Sequence, residues 1–249
     1  MPRFSSTTCV LPILITILVL AVPAKSQPSQ TIDCGPPSAL LAPTESRTSV
    51  QQAPLLERMR VMVDELIGAS YPELRGVEIQ FSIFQNNADF FRTRFGIPQF
   101  LFGRRMRYLI RVNPKVCELQ APEAGIQAIL AHELAHILYF KVGNRARLLG
   151  LARLNSKGFT ARFERQTDLQ AISRGYGEGL KEYRQWLYQH VPDQKLQEKQ
   201  RNYFSPEEID AILSLSHRRP ELLTYWLKHV PRNLQEVHEL QSPPAAKFW

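Results

Sequence analysis

The sequence predicts an α+β fold that is mainly helical, with a small β-sheet beside a central helix and a helical C-terminal extension. Residues 77 to 83 alternate between apolar and polar side chains, as a strand does, and residues 107 to 112 predict a second strand. After Gly177 the apolar spacing and the capping signals are those of helices. A chain of 249 residues is long enough to bury a substantial core in one domain.

The predicted central helix contains the segment His132-Glu133-Leu134-Ala135-His136, which has the HExxH spacing of zinc hydrolases. Residues four apart lie one above the other on a helix, so His132 and His136 can bind one metal ion. Glu133 lies beside them and can take a proton from a metal-bound water and pass it to a leaving amine. The motif therefore predicts a zinc site with Glu133 as general base.

The surroundings of the motif indicate that its helix is buried. Residues 124 to 131 and 137 to 140 are apolar on nearly all sides of a helical wheel. Pro122 suits the start of this helix and Gly143 its end. Burying a carboxylate and two imidazoles costs several kcal/mol unless they are paired, and a divalent cation is the simplest partner. The alternative is a surface helix with solvated histidines, but the segment lacks the polar face that this requires.

A zinc site of this kind needs a third protein ligand. The extended HExxHxxGxxH motif is excluded, because Tyr139 and Val142 occupy its glycine and histidine positions. Glu164 is the candidate, and Asp168 lies on the same helical face four residues later. Asp168 is then placed to accept the outward N–H of a zinc-bound histidine. The alternative is a solvated acidic face in which Arg165 pairs with Asp168.

This pattern resembles the gluzincin metallopeptidases, and within that clan the M48 family of membrane-associated and periplasmic enzymes. The resemblance implies a zincin-like metallopeptidase fold in which His132, His136 and Glu164 hold zinc. It also implies that Glu133 is the general base and that Asp168 supports a histidine. The implied activity is hydrolysis of peptide bonds in a protein or peptide substrate by a zinc-dependent endopeptidase.

The resemblance covers roughly residues 77 to 177. Outside the five site residues it is carried only by residues 86 to 90, a counterpart of the asparagine-alanine stretch that precedes the substrate-facing strand in that family. Several aromatic residues after this stretch are candidates for an edge strand and for the floor of a substrate cleft, with ordinary core packing as the alternative. They are Phe90, Phe91, Phe95, Phe100 and Phe102.

The residue that stabilises the transition state is not identified by the resemblance. Tyr176, His217 and Tyr225 are candidates, and each can instead be an ordinary packing or surface residue. A second hypothesis for the whole chain is a non-catalytic binding or chaperone-like protein of the cell envelope. Such a protein would retain the zinc scaffold, with its cleft occluded by the C-terminal helices.

The N-terminal residues predict export. Residues 10 to 22 form an apolar stretch that is too short for an ordinary membrane span, and small residues precede Ser26 as a signal peptidase requires. We therefore expect a signal peptide over residues 1–24 and a periplasmic or secreted protein, with an uncleaved N-terminal anchor as the alternative. The even pair Cys34 and Cys117 suits a disulfide in an oxidising compartment, and two thiols are the alternative.

The remaining sequence divides into a linker over residues 25–53, a zincin-like catalytic domain over residues 54–180 and a helical C-terminal extension over residues 181–249. The linker is rich in Pro, Ser, Thr and Gln. Helices are predicted over residues 54 to 69, 159 to 174 and 220 to 229. A capping box is predicted at Ser205, and Tyr183, Trp186 and Leu187 fall at helical spacing for inward packing.

The chain is basic, with a formal net charge of +8. Its basic residues are scattered and form no recognition-helix or zinc-finger pattern, which argues against a nucleic-acid partner. A basic surface that contacts an acidic substrate or, peripherally, an anionic membrane explains the charge better. Residues 145 to 154 can form an interfacial amphipathic helix beside the active site, and a connecting helix packed on the core is the alternative.

Overall fold

The computed structural model describes residues 44–95, 107–143 and 156–239. These residues are mainly helical and include a three-stranded sheet, which confirms the predicted α+β class. The helices of the described residues are α1 (Thr44–Ala69), α2 (Lys115–Glu118), α3 (Glu123–Val142), α4 (Lys157–Ser173), α5 (Gly177–His190), α6 (Asp193–Asn202), α7 (Pro206–Arg218), α8 (Glu221–Trp226) and α9 (Leu234–Glu239). A 3₁₀ turn, Pro72–Leu74, follows α1.

The sheet comprises β1 (Ile79–Ile83), β2 (Phe91–Phe95) and β3 (Tyr108–Val112). Its spatial order is β1-β3-β2, with β1 parallel and β2 antiparallel to β3. Both predicted strands are confirmed. In the sheet that the described residues form, β2 of the phenylalanine-rich segment is an edge strand, as predicted. Phe90 and Phe91 are buried in the core. Helix α1 packs against β1 and helix α3 against β2, so these two helices place the sheet beside the predicted metal site.

Helix α3 lies at the centre of the fold and is buried over most of its length. It begins after Pro122 and ends before Gly143, as predicted. Helices α1, α4 and α5 pack around it, together with β2. At the crossing with α5, a Cβ added to Gly125 would lie 3.2 Å from Cβ of Tyr183, so glycine permits the close approach of these two helices. The helix is apolar all round because it is enclosed by other elements on every side.

Helix α4 ends in a Schellman motif. The N–H of Gly175 donates to the carbonyl of Ile172, and the N–H of Tyr176 donates to that of Ala171. Gly175 has a φ of 94°, which a residue with a side chain rarely adopts. This stop agrees with the predicted end of the helix, and it turns the chain into α5, which packs against α4.

Helix α1 differs from the prediction. It already begins at Thr44, inside the predicted linker, and Pro54 lies within it instead of starting it. Proline lacks the N–H that would bond to the preceding turn. Pro54 is exposed, so water can satisfy the carbonyl that the proline leaves without a donor. The predicted start of the helix at Pro54 was therefore wrong, and the helix begins ten residues earlier, inside the predicted linker.

The C-terminal helices complete the core of the domain. Helix α5 packs against α3 and α7, and α6 packs against α4. Tyr183, Trp186 and Leu187 are buried, as predicted. At the start of α7 the Ser205 hydroxyl accepts from the N–H of Glu208, whose carboxylate accepts from the N–H of Ser205, which confirms the capping box. The helices predicted as an extension thus share one hydrophobic core with the rest of the described residues.

Several predictions concern residues outside the described ranges. They include the signal peptide, the linker as far as residue 43, the helix over residues 145 to 154, Phe100, Phe102 and the Cys34 partner of the proposed disulfide. None of the helices within the described ranges combines the length and the apolar character that crossing a membrane requires.

Candidate metal centre

Three side chains from two helices converge at the centre of the domain. The Nε2 atoms of His132 and His136 on α3 lie 2.8 Å apart. Oε2 of Glu164 on α4 lies 3.4 Å from each of them. All three side chains are fully buried, and their ligand atoms form a group that could hold a metal ion. The two helices pack directly against each other, which brings together residues that are far apart in the sequence.

The dimensions of this group fit a small divalent cation. Metal–ligand bonds of about 2.0–2.2 Å in a tetrahedron separate the ligand atoms by roughly 3.3–3.6 Å. The two 3.4 Å separations from Glu164 match this range, whereas the 2.8 Å separation of the two imidazole nitrogens is shorter and would have to widen around a bound ion. Neither carboxylate oxygen of Glu164 has a hydrogen-bond partner among the described residues. A buried carboxylate without a partner is costly, and a cation bound between it and the imidazoles would remove that cost.

Asp168 holds His132 from the side opposite the metal-binding atoms. Its Oδ1 lies 2.9 Å from Nδ1 of His132, and both side chains are fully buried. This proximity favours the proton on Nδ1 and leaves Nε2 with a free lone pair, the form that a metal ligand requires. Asp168 therefore lies next to a histidine of the centre, while Nδ1 of His132 has no well-formed hydrogen bond among the described residues.

Asp168 is itself held by two elements from the segment predicted as the C-terminal extension. The guanidinium of Arg184 on α5 donates to both carboxylate oxygens at 3.1 and 3.3 Å. The backbone N–H of Phe204, between α6 and α7, donates to Oδ2 at 3.2 Å. Arg184 is fully buried and lies over the ring of Tyr203 at 4.5 Å. The metal site therefore depends on helices that follow the predicted catalytic domain in the sequence.

Glu133 lies beside this group without a well-formed hydrogen bond among the described residues. Burial raises the pKa of its carboxyl to about 8 in the metal-free site. The hydroxyl and the backbone N–H of Thr93, which approach Glu133 from β2, act against this rise. A carboxyl whose pKa lies near the operating pH is suited to transferring protons.

The electrostatics of the centre favour metal binding. Burial and the charge of Arg184 lower the pKa of His132 well below its ordinary value, and burial together with His132 does the same for His136. Both imidazoles are therefore neutral at pH 7, as metal ligands must be. Burial and the neighbouring charges of Asp168 and Glu133 raise the pKa of Glu164 well above its usual range. A divalent cation would stabilise the charged form of Glu164.

Comparison of the chain with protein-family models, with curated proteins and with solved structures finds no match. The interpretation of the centre therefore depends on its own geometry and chemistry.

The alternative interpretation of Glu164 and Asp168 as a solvated acidic face is wrong. Both carboxyl groups are fully buried. Arg165, which that interpretation paired with Asp168, instead donates to the carboxylate of Glu208 at 2.8 Å. The surface-helix alternative for the two histidines is wrong for the same reason, since both imidazoles are inaccessible to solvent.

The three candidates for stabilising the transition state have their observed contacts elsewhere. The Tyr176 hydroxyl hydrogen-bonds to that of Ser70 at 2.8 Å. The ring of Tyr225 stacks on His229, and His217 is exposed on α7. None of these contacts involves a residue of the candidate metal centre.

Sequence reasoning missed several residues that shape the centre: Thr93, Arg184, Tyr203 and Phe204. Arg184 could have been noticed as a basic residue within an otherwise apolar helical stripe, because it lies three positions before the inward-facing Leu187. The other three carry no local signal, since an N–H group or a single aromatic residue acquires its role only through the packing of distant segments.

Proposed function

We propose that this protein is a zinc-dependent endopeptidase in which His132, His136 and Glu164 hold the metal. The observation that carries the proposal is the convergence of two Nε2 atoms and one carboxylate oxygen beside the unpaired carboxyl of Glu133. Two imidazoles and one carboxylate are a donor set typical of catalytic zinc sites, in which a water takes the fourth position. Zinc bound there supplies a Lewis acid that polarises a carbonyl and lowers the pKa of water.

The chain's own residues account for the movement of the proton. Glu133 accepts a proton from the attacking water and then delivers it to the leaving amine. Asp168 keeps the proton of His132 on Nδ1, and Arg184 and the Phe204 N–H keep Asp168 in place. The centre is closed to bulk water, which strengthens each of these electrostatic interactions.

The position of β2 supports a peptide as the substrate. Among the described residues β2 is an edge strand, and its Thr93 approaches Glu133. An extended peptide can pair with such an edge through its backbone, which would present a carbonyl next to the general base. The five residues that resemble M48 peptidases, together with the N-terminal segment, are the basis for proposing an exported enzyme of that kind.

One observation favours the second candidate function, a non-catalytic zinc scaffold that binds other proteins. His132, Glu133, His136 and Glu164 are each completely inaccessible to solvent. A substrate carbonyl cannot reach Glu133 in this arrangement, so catalysis requires an opening movement. A purely structural zinc centre requires none.

Metal analysis combined with a peptidase assay separates the two functions. We expect the purified protein to contain stoichiometric zinc and to cleave an unfolded protein substrate. Glu133→Gln should keep the zinc and lose the cleavage, whereas Glu164→Ala should lose both. Glu182→Gln, at an exposed position on α5, is the matched control and should behave as the unmodified protein. Zinc content unaffected by Glu164→Ala would remove this residue from the ligand set, and cleavage unaffected by Glu133→Gln would refute the peptidase proposal.

A further inference from the structure

Three arginines share the outer face of the sheet, the face opposite the metal centre. Arg92 on β2 is directly opposite Arg111 on β3, and Arg94 lies two residues further along β2. Directly opposite residues of an antiparallel pair point to the same side, as do residues two apart on one strand. Thr93, between the two β2 arginines, points to the other side and approaches Glu133. The two β2 arginines therefore flank Thr93, the β2 residue that approaches Glu133.

The positive charge of this arginine face is only partly balanced. Among the described residues, the carboxylate that contacts it is Asp89, 2.6 Å from Arg92. Asp89 is shared with the buried Lys199, whose Nζ lies 2.7 Å away. Arg92 and Arg111 both lie 5.2 Å from the ring of Phe84, which holds their guanidinium groups near each other. Burial and the charges of Arg94 and Arg92 lower the pKa of Arg111, as expected for crowded like charges.

The backbone of β2 is arranged to accept another strand beside these arginines. The N–H of Asn113 donates to the carbonyl of Phe90, which identifies these two residues as a hydrogen-bonded pair. Such pairs alternate along an antiparallel ladder, so Arg92 bonds to Arg111 while the N–H and C=O of Thr93 point away from β3. In the described part of the chain no other strand pairs with this edge. Thr93 is buried with its N–H toward Glu133, so a peptide would pair here after the same opening movement that access to Glu133 requires.

We propose that β2 selects substrates that are acidic at two positions separated by one residue. A peptide added to this edge would lie about 4.8 Å from β2, with alternate side chains on the arginine face. The peptide residues beside Arg92 and Arg94 would then lie on that face, while the residue between them points toward the metal centre. Carboxylates at both positions would pair with guanidinium groups whose positive charge is only partly balanced within the protein. This inference depends on the proposed peptidase function for the site that the peptide reaches.

Extended geometry favours a peptide over nucleic acid or lipid as the partner. The spacing of Arg92 and Arg94 matches the repeat of alternate side chains in a strand, about 6.6–7 Å. A phosphate backbone or a membrane would need no unpaired strand edge beside the arginines. An extended polypeptide would use both the basic face and the strand edge.

A binding experiment with the inactive protein tests the proposal without requiring catalysis. Zinc-loaded Glu133→Gln protein is titrated into a fluorescently labelled, valine-rich peptide with glutamate at two positions separated by one residue, and into its glutamine counterpart. We expect fluorescence anisotropy to show roughly three- to tenfold tighter binding of the glutamate peptide at low salt. Adding Arg94→Gln or Arg111→Gln should reduce that preference, whereas Arg218→Gln, at an exposed position on α7, should preserve it.

Equal affinity for the two peptides, or binding of neither, would overturn the proposal. Binding of a single-stranded oligonucleotide or an anionic vesicle that depends on Arg94 and Arg111, without discrimination between the peptides, would also overturn it. Cleavage of both peptides at equal rates by the unmodified protein would support the proposed peptidase function and contradict the proposed acidic preference. Preferred binding without any cleavage would retain the arginine face as a docking site and reject the peptidase.

Discussion

Oδ1 of Asp168 lies 2.9 Å from Nδ1 of His132, and the same carboxylate accepts two hydrogen bonds from Arg184. This contact links α5 to the metal centre through a single buried carboxylate. Substituting Asp168 or Arg184 should therefore affect metal binding, although neither residue supplies a metal ligand.

Replacing Asp168 by asparagine should weaken zinc binding while leaving all three ligands in place. The amide oxygen can still lie beside Nδ1 of His132, but it carries no charge to increase the basicity of the imidazole. Loss of a carboxylate that supports a ligating histidine typically lowers metal affinity by about 10- to 100-fold. Competition with a chromophoric chelator would measure the change. Asp210→Asn, which removes a carboxylate exposed on α7, should leave the affinity unchanged. An unaltered affinity in Asp168→Asn would contradict this role.

Replacing Arg184 by methionine should destabilise the fold strongly. The substitution leaves the carboxylate of Asp168 buried without its cation, and breaking a buried pair in this way costs about 3–5 kcal/mol. Urea unfolding of the metal-free protein would measure the loss of unfolding free energy. Arg162→Met, at an exposed position on α4, is the matched control and should change stability by less than about 0.5 kcal/mol. Equal stabilities of the two variants would show that the buried guanidinium contributes nothing.

Asp89 should make the stability of the protein sensitive to acid. Burial alone would raise the pKa of its carboxyl, but the charges of Lys199 and Arg92 outweigh burial and leave this pKa below its ordinary value. A carboxyl whose pKa is lower in the folded state stabilises that state above the unfolded pKa of about 3.9. The stabilisation is lost as the pH falls through the lower, folded value.

Comparison of the unmodified protein with Asp89→Asn isolates this contribution. The difference in unfolding free energy between them should amount to a few kcal/mol near pH 7, because the variant leaves Lys199 buried without a carboxylate. It should narrow below about pH 4. Urea unfolding at a series of pH values would measure it, and a difference that stays constant down to pH 3 would argue against the assignment.

The close contact of α3 and α5 should make Gly125 intolerant of larger residues. An added Cβ would lie 3.2 Å from Cβ and 3.4 Å from Cα of Tyr183, so the branched side chain of valine would separate the helices. Overpacking of this kind costs about 1–3 kcal/mol. Gly158 on α4 has no atom within 4 Å of an added Cβ, so Gly158→Ala should stabilise the protein by about 0.5 kcal/mol. Thermal unfolding of both variants would test the contrast, and a fully stable Gly125→Val would refute it.

Local patterns were sufficient to predict the elements that carry the site. The turn of a helix alone places His132 above His136, and the run of apolar neighbours predicts that this helix is buried. The glycine stop after α4 and the capping box at Ser205 were likewise readable because each involves residues only a few positions apart. Pro54 misled the prediction, since proline usually starts or breaks a helix and here lies inside one.

The distances across the site depended on packing between elements that are remote in the chain. The sequence predicted that Glu164 and Asp168 share a helical face, but only the crossing of α3 and α4 brings that face to the two histidines. The roles of Arg184, Phe204 and Lys199 likewise arise from helices that fold back over the centre. Helical and strand periodicity is set by neighbouring residues along the chain, whereas contacts between such elements are set by how their apolar faces fit together, and no single segment contains that information.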